Sequence, residues 1–263
     1  MGLEDCMQII NYTHLESQIF TNTKNPFLSS VNKAMKLTNE MNVSIGTQSE
    51  FNKSALKPLD AHVLPIPVSE PQLLEPVTGE RTGVLYIGRW EEGKGPEAYL
   101  KVITETKLPA KVMTNASGAK KFEARLKDMG VDYEIKVGII GQEKVNFIAH
   151  ARVALNPSTV ESYGMAFQEQ ITQLPTVAIH GMRWLNNHAN YYFTEPSNDL
   201  SLLVQTLYDQ FPTAESYYAT GALDYYQQRE TTLGKMWIDS FDSFTTKQSK
   251  SSTAGILQHD TIR

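Results

Sequence analysis

An α/β fold with a doubly wound parallel sheet is what this sequence predicts, on three observations. From Gly83 onward, short apolar runs rich in β-branched residues alternate with helical patterns, the order that gives parallel strands joined by helices. The segment Ser69–Thr82, SEPQLLEPVTGERT, breaks the pattern with Pro, Gly and charge and reads as an interdomain linker. A 41% apolar composition over 263 residues supports one large domain or two modest ones.

The strands of the second part are expected at Val84–Gly88, Lys111–Thr114, Tyr133–Val137, Arg152–Leu155, Thr176–Ile179 and Tyr191–Phe193. Helices are expected between them at Pro96–Thr106, Ala119–Met129, Glu143–Ala149, Met165–Thr172 and Leu200–Phe211. Five such β-α steps make a doubly wound sheet. Ahead of the linker the signal is weaker. Strands are expected at Gln8–Tyr12, Val43–Gly46 and Val63–Val68, with helices at Pro26–Glu40 and Glu50–Leu56. After Gly221 the chain is again helical, and Trp237, Phe241 and Phe244 form one apolar stripe at i, i+4 and i+7. The expected organisation is a partial first domain with linker over 1–75, a second domain over 76–248 and a frayed tail over 249–263.

Composition narrows the function. Net charge is −5 with scattered basic residues, which gives no single-sign stripe of the kind that marks nucleic-acid or anionic-membrane binding. Cys6 stands alone, so neither an internal disulfide nor a multi-cysteine metal site is available. No apolar run reaches the roughly 20 residues a membrane span needs, and the first residues lack a signal-peptide pattern, so a cytoplasmic location is expected. His150, His180 and His188 show no metal-ligand spacing. Tyr217, Tyr218, Tyr225 and Tyr226 are read as surface-facing helical pairs with packing roles.

Two constellations carry chemistry. In VLYIGRWEEGKGPEAYL a strand ends at Gly88, and Arg89 and Lys94 stand on the loop before a helix with Pro96 in its first turn. Ligands of doubly wound sheets sit beyond the carboxyl ends of the strands, where guanidinium and ammonium groups can grip a diphosphate through charge-assisted hydrogen bonds. In VALNPSTVESYGMAFQEQITQLPTVAI a buried strand runs into a loop, a helix opens near Gly164, and another buried strand begins at Pro175. The free N–H groups of that helix start form an anion site, and Gly164 lets a phosphate approach the main chain. Glu161 lies on the loop ahead of it and Glu169 more than a turn inside the helix, so that one carboxylate can hold a sugar and the other a ribose.

GRWEEGKG and PSTVESYGMAFQE resemble the two signature motifs of retaining glycosyltransferases of the GT-B architecture. The pattern is Gly-Arg-x4-Lys-Gly, then Pro-Ser-x2-Glu-x-Phe/Tyr-Gly with a second Glu eight residues after the first, and both are complete here. The resemblance runs from Gly83 to about Phe244 and is closest to the group of such enzymes known as family 4. It implies a donor site in which Gly88, Arg89 and Lys94 hold the diphosphate, Glu161 the sugar hydroxyls and Glu169 the ribose hydroxyls. Ser162, Tyr163, Gly164 and Met165 would offer backbone donors, and Ile140, within Ile139–Gly141, would face the base. His14, in NYTHLES, falls where the family often carries a catalytic-site histidine.

What the resemblance implies about function is transfer of a sugar from a UDP- or GDP-linked donor to an acceptor, with retention of anomeric configuration. No Asp-x-Asp motif is present, so no metal cofactor is expected: Arg89, Lys94 and the helix at Gly164 would supply the positive field. The segment ahead of Gly83 is short for a complete first domain of this architecture. A split enzyme completed by a protein partner or a dimer is the expectation, with a non-catalytic donor-binding subunit as the alternative. NYTHLES, GTQSEFNKSAL and GRWEEGKG are also loosely similar to phage glucosyltransferases that modify hydroxymethylated DNA bases.

Overall fold

A computed structural model describes residues 10–13, 44–47, 53, 61–64, 78–159, 164–179, 192–194, 199–229, 231–235 and 237–239. The chain divides into two compact units, Met1–Pro67 with Glu230–Arg263, and Val68–Arg229. This division groups Trp237 with the first unit and places all of the 78–229 motif region in the second.

The first unit contains three parallel strands in the order β1-β2-β3: β1 (Ile10–Thr13), β2 (Ser44–Thr47) and β3 (Ala61–Val63). β1 and β2 lie one or two residues from their expected positions, whereas β3, expected at Val63–Val68, starts two residues earlier and ends five residues earlier. β3 stops at Val63, two residues short of Pro65, a residue with no N–H to give to a ladder. The expected helix Pro26–Glu40, Cys6, Phe241, Phe244 and the tail lie outside the described residues.

The second unit is a six-stranded parallel sheet in the order β6-β5-β4-β7-β8-β9. Its strands are β4 (Val84–Ile87), β5 (Ala110–Thr114), β6 (Tyr133–Val137), β7 (Val153–Asn156), β8 (Thr176–Ala178) and β9 (Tyr192–Thr194). Helices α1 (Pro96–Thr106), α2 (Ala116–Met129), α3 (Gly141–Ala149), α4 (Met165–Ile171), α5 (Leu200–Gln210) and α6 (Ala214–Tyr218) follow in chain order. The strand order runs outward from β4 in one direction and from β7 in the other. The gap between their carboxyl ends is therefore the topological switch point, where sheets of this kind bind ligands.

Strand periodicity builds the two faces. Val84 and Tyr86 point to one face, where Val112, Val153, Leu155 and Val177 join Leu100, Ile103, Phe122 and Leu207 from the helices. Leu85 points to the other, with Met113, Ala154 and the α3 residues Val145, Phe147 and Ile148. Central strands β4, β5 and β7 are buried almost throughout, as parallel strands covered on both faces are. β6 is the edge: its exposed Tyr133 and Val137 flank a run of alternating charges, Lys111–Glu134 at 2.7 Å, Glu134–Lys136 at 3.9 Å and Lys136–Glu143 at 3.4 Å.

Several expectations need correction. The stretch read as linker ends inside the second unit: Arg81 is buried, and its guanidinium donates to the Gln173 carbonyl at 2.5 Å and to the Tyr218 hydroxyl at 3.1 Å. Burial lowers the Arg81 pKa from its ordinary value, while the charge interaction and hydrogen bond with the Tyr218 hydroxyl act in the opposite sense. The tyrosines pack as expected but not on the surface. Tyr217 and Tyr226 are fully buried, and the Tyr217 hydroxyl donates to the Ile171 carbonyl at 2.8 Å. α2 begins at Ala116, three residues ahead of expectation, because Asn115 caps it by accepting from the Gly118 amide at 2.9 Å.

Candidate functional site

The loop that follows β4 is held from below by aromatic side chains. Tyr86, Tyr99, Phe122 and Trp90 form a contiguous cluster, with ring centroids 5.2 Å apart for Tyr86–Tyr99, 5.1 Å for Tyr86–Phe122 and 4.7 Å for Trp90–Phe122. The Tyr86 hydroxyl lies 3.0 Å from the Arg89 carbonyl and 3.3 Å from the Lys94 carbonyl, so its one proton is shared by both ends of the loop. Burial pushes the Tyr99 phenol well above its ordinary pKa, and its hydroxyl donates to the Val84 carbonyl at 2.8 Å. This fixes the floor on which the two cations stand.

Above that floor the loop makes a tight turn. The amides of Lys94 and Gly95 donate to the carbonyls of Glu91 and Glu92, both at 2.9 Å, and Gly95 adopts φ 65°. Arg89 is exposed and pairs with Glu91 at 3.2 Å, while Lys94 is half-buried. Pro96 occupies the first turn of α1, where a missing N–H costs nothing.

The second motif meets the first at this turn. Thr159 donates its amide to the Gly93 carbonyl at 2.9 Å, and the Ser158 hydroxyl donates to the same carbonyl at 3.1 Å. Asn156, the last residue of β7, accepts from the Ser158 amide at 3.2 Å and shapes the turn. The approach is close enough that a Cβ on Gly95 would lie 2.3 Å from the Pro157 carbonyl oxygen. The two sequence motifs are thus hydrogen-bonded to each other across the switch point between β4 and β7.

α4 opens at Gly164, in the left-handed conformation at φ 72°, a residue with no side chain to cap the first amides. Phe167 to Ile171 are buried along it. Glu169 is among them: its side chain is 5% exposed, and it accepts a hydrogen bond from the Lys144 ammonium of α3 at 2.5 Å. α3 starts directly after Ile140, which is 81% exposed, while Ile139 packs against the Leu85 face.

Of the expected site residues, the structure brings Gly88, Arg89 and Lys94 onto one loop against the Asn156–Thr159 turn, and ties the helix behind Ile140 to Glu169. Glu161, Ser162, Tyr163 and His14 lie outside the described residues, as do His180 and His188. Two participants had no sequence signal. Lys144 meets Glu169 across 25 residues, and the Tyr86 hydroxyl reaches the loop from a strand that reads as plain core. Among the described residues no group of three or more His, Cys, Asp or Glu is arranged to hold a metal ion, and no helix is long and apolar enough to cross a membrane.

No protein family model matches the chain, and no curated protein matches it by sequence. Solved structures do. AviGT4, a glycosyltransferase involved in avilamycin A biosynthesis, aligns with TM-score 0.58 at 13% identity over 76% of this chain and 63% of its own. HepE of Anabaena, solved in complex with UDP and glucose, aligns with TM-score 0.65 at 14% identity over 89% of this chain and 71% of its own. The α,α-trehalose 6-phosphate synthase of Burkholderia multivorans gives TM-score 0.65 at 10% identity over 97% and 68%. The fold is that of the GT-B glycosyltransferases, with a parallel-stranded sheet in each unit. The chain spans about two thirds of the length of these structures, from 63% to 71%.

Proposed function

We propose that this chain binds a nucleotide-diphospho-sugar, UDP- or GDP-linked, and transfers its sugar to an acceptor with retention of configuration and without a metal ion. The observation that carries the reading is the hydrogen-bonded junction of the Gly88–Gly95 loop with the Asn156–Thr159 turn at the switch point of the sheet. Fold likeness supports it, and HepE was solved with UDP and glucose.

The chemistry follows from the charges. Breaking a glycosyl–phosphate bond leaves negative charge on the departing diphosphate, and groups aimed in advance at that charge lower the barrier. In this reading Arg89 and Lys94 supply two cations, and the first amides of α4 supply oriented donors. Gly88 keeps the backbone close to the diphosphate. Glu161 takes the sugar hydroxyls, Ser162, Tyr163 and Met165 contribute main-chain contacts, and Glu169 takes the ribose. Ile140 offers an apolar surface to the base.

A thermal-shift panel of UDP, GDP and their glucose, galactose and mannose conjugates tests the reading. At least one ligand raises the melting temperature, as a ligand of the native state must, and the double variant Arg89→Ala/Lys94→Ala loses that shift. No stabilisation by any nucleotide overturns the proposal. Stabilisation with neither transfer nor donor hydrolysis reassigns the chain to a binding subunit of a larger transferase.

A further inference from the structure

Arg81 is a buried cation whose two hydrogen-bond acceptors are both neutral. Its guanidinium donates to the Gln173 carbonyl and to the Tyr218 hydroxyl, and that hydroxyl donates in turn to the Gln173 side-chain oxygen at 2.8 Å. The three residues close a ring of hydrogen bonds among the stretch ahead of β4, the end of α6 and the turn that follows α4. Taking a charge out of water for neutral partners costs free energy, and an apolar side chain would fill the space without that cost. What arginine adds is a planar fork whose diverging N–H groups join two oxygens from different segments in one fixed geometry.

The helix that gains is α4. It has seven residues, and a helix this short is marginal in water, so its place depends on anchors to the rest of the fold. Carbonyls at a helix end have no amide of the next turn to serve them. Here the Tyr217 hydroxyl takes the Ile171 carbonyl at 2.8 Å and Arg81 takes that of Gln173. The segment that carries Arg81 is itself fastened: Glu80 bridges Thr213, and the Arg81 amide donates to the Pro212 carbonyl at 3.4 Å. The leading end of α4 follows β7, on the ligand side of the sheet. We propose that Arg81 is a positioning residue for the donor site: by closing the ring it fixes the trailing end of α4, and with it the leading end, so that nucleotide affinity depends on a side chain at the far end of the helix. The proposal rests on the donor-site reading above and adds a residue to it.

Amide hydrogen exchange on the full chain tests the ring without any ligand, and calorimetric titration with UDP and GDP tests what the ring does for the site. In Arg81→Met the amides of Gln168 to Leu174 exchange about tenfold faster or more than in wild type at a temperature where the protein is folded, while those of β5 and α2 keep their rates. The nucleotide that wild type binds is held about tenfold more weakly or worse. Tyr218→Phe, which opens the same ring and leaves the Arg81 charge in place, moves both readouts the same way and adds nothing in the Arg81→Met background. Ile103→Ala, a core truncation in α1, lowers the melting temperature and leaves nucleotide affinity at the wild-type value. An Arg81→Met protein that binds as wild type does, or whose exchange rises evenly over the whole sheet, overturns the proposal while leaving the donor site intact. Wild type that binds neither UDP nor GDP overturns the donor-site reading and this role with it. Should Arg81→Met not fold, Tyr218→Phe decides the matter: unchanged exchange along α4, or unchanged affinity, refutes the role given to Arg81.

Discussion

Two ion pairs of the second unit differ in almost everything but charge. Arg89–Glu91 sits on the β4–α1 loop with side chains 64% and 49% exposed, whereas Lys144–Glu169 joins α3 to α4 with side chains 20% and 5% exposed. In water-like surroundings a pair gains little, because solvent already serves both charges. Out of water, each charge depends on the other. The comparison teaches a division of labour: the exposed cation can exchange its carboxylate for another anion at small cost, while the buried pair ties α3 to α4.

Breaking the buried pair gives the largest expected effect. Lys144→Met takes the ammonium away from the buried Glu169 carboxylate, and a loss of about 3 kcal/mol in a denaturant melt is expected. Next comes Gly95→Ala. A side chain at φ 65° costs about 1–2 kcal/mol, and a Cβ 2.3 Å from the Pro157 carbonyl pushes the two motif loops apart at a further cost of about 1–3 kcal/mol. Denaturant melts check the stability, and loss of the nucleotide-induced thermal shift checks the site. Arg89→Ala sharpens the contrast from the other side: stability within about 0.5 kcal/mol of wild type is expected, since its pair is exposed.

The smallest effect belongs to Glu215. Its carboxylate accepts from backbone amides, its own and that of Gly79, the latter at 3.1 Å, and these hold its pKa below the ordinary 4.5. A lowered folded-state pKa contributes stability above the unfolded value and loses it as pH falls through the folded one. Glu215→Gln should therefore melt slightly earlier than wild type at pH 7, with the difference closing as the pH drops below 4.5, as thermal melts at the two acidities would show.

How legible the molecule was in its sequence depended on the range of the interaction. β4, β5 and β7 are short, largely apolar runs, broken only by Lys111 and Thr114 in β5 and by Asn156 at the end of β7, as strands buried on both faces are, and they were placed to within a residue at each end. α1 was placed at both ends because Pro96 marks its start and the apolar spacing of Tyr99, Leu100 and Ile103 carries through. α2 was expected from Ala119 and begins three residues earlier, at Ala116. In the structure Gly118 is there for contact, since a Cβ would meet the Thr114 hydroxyl at 2.4 Å. The two motif loops were legible as patterns, and their union through Gly93 was not, because a backbone carbonyl has no signature. Lys144 was silent for the same reason: only the packing of α3 beside α4 gives it a partner.

One feature of the sheet bears on how this protein behaves in a crowded solution. Among the described residues β6 ends the row of strands, and such an edge offers its outer backbone to a chain that would lie alongside it. Along it run Glu134 and Lys136, tied into a relay from Lys111 to Glu143. A foreign strand docking there would have to strip water from those charges while bringing none to match, so the rim repels the stacking that turns an open sheet into a fibre seed.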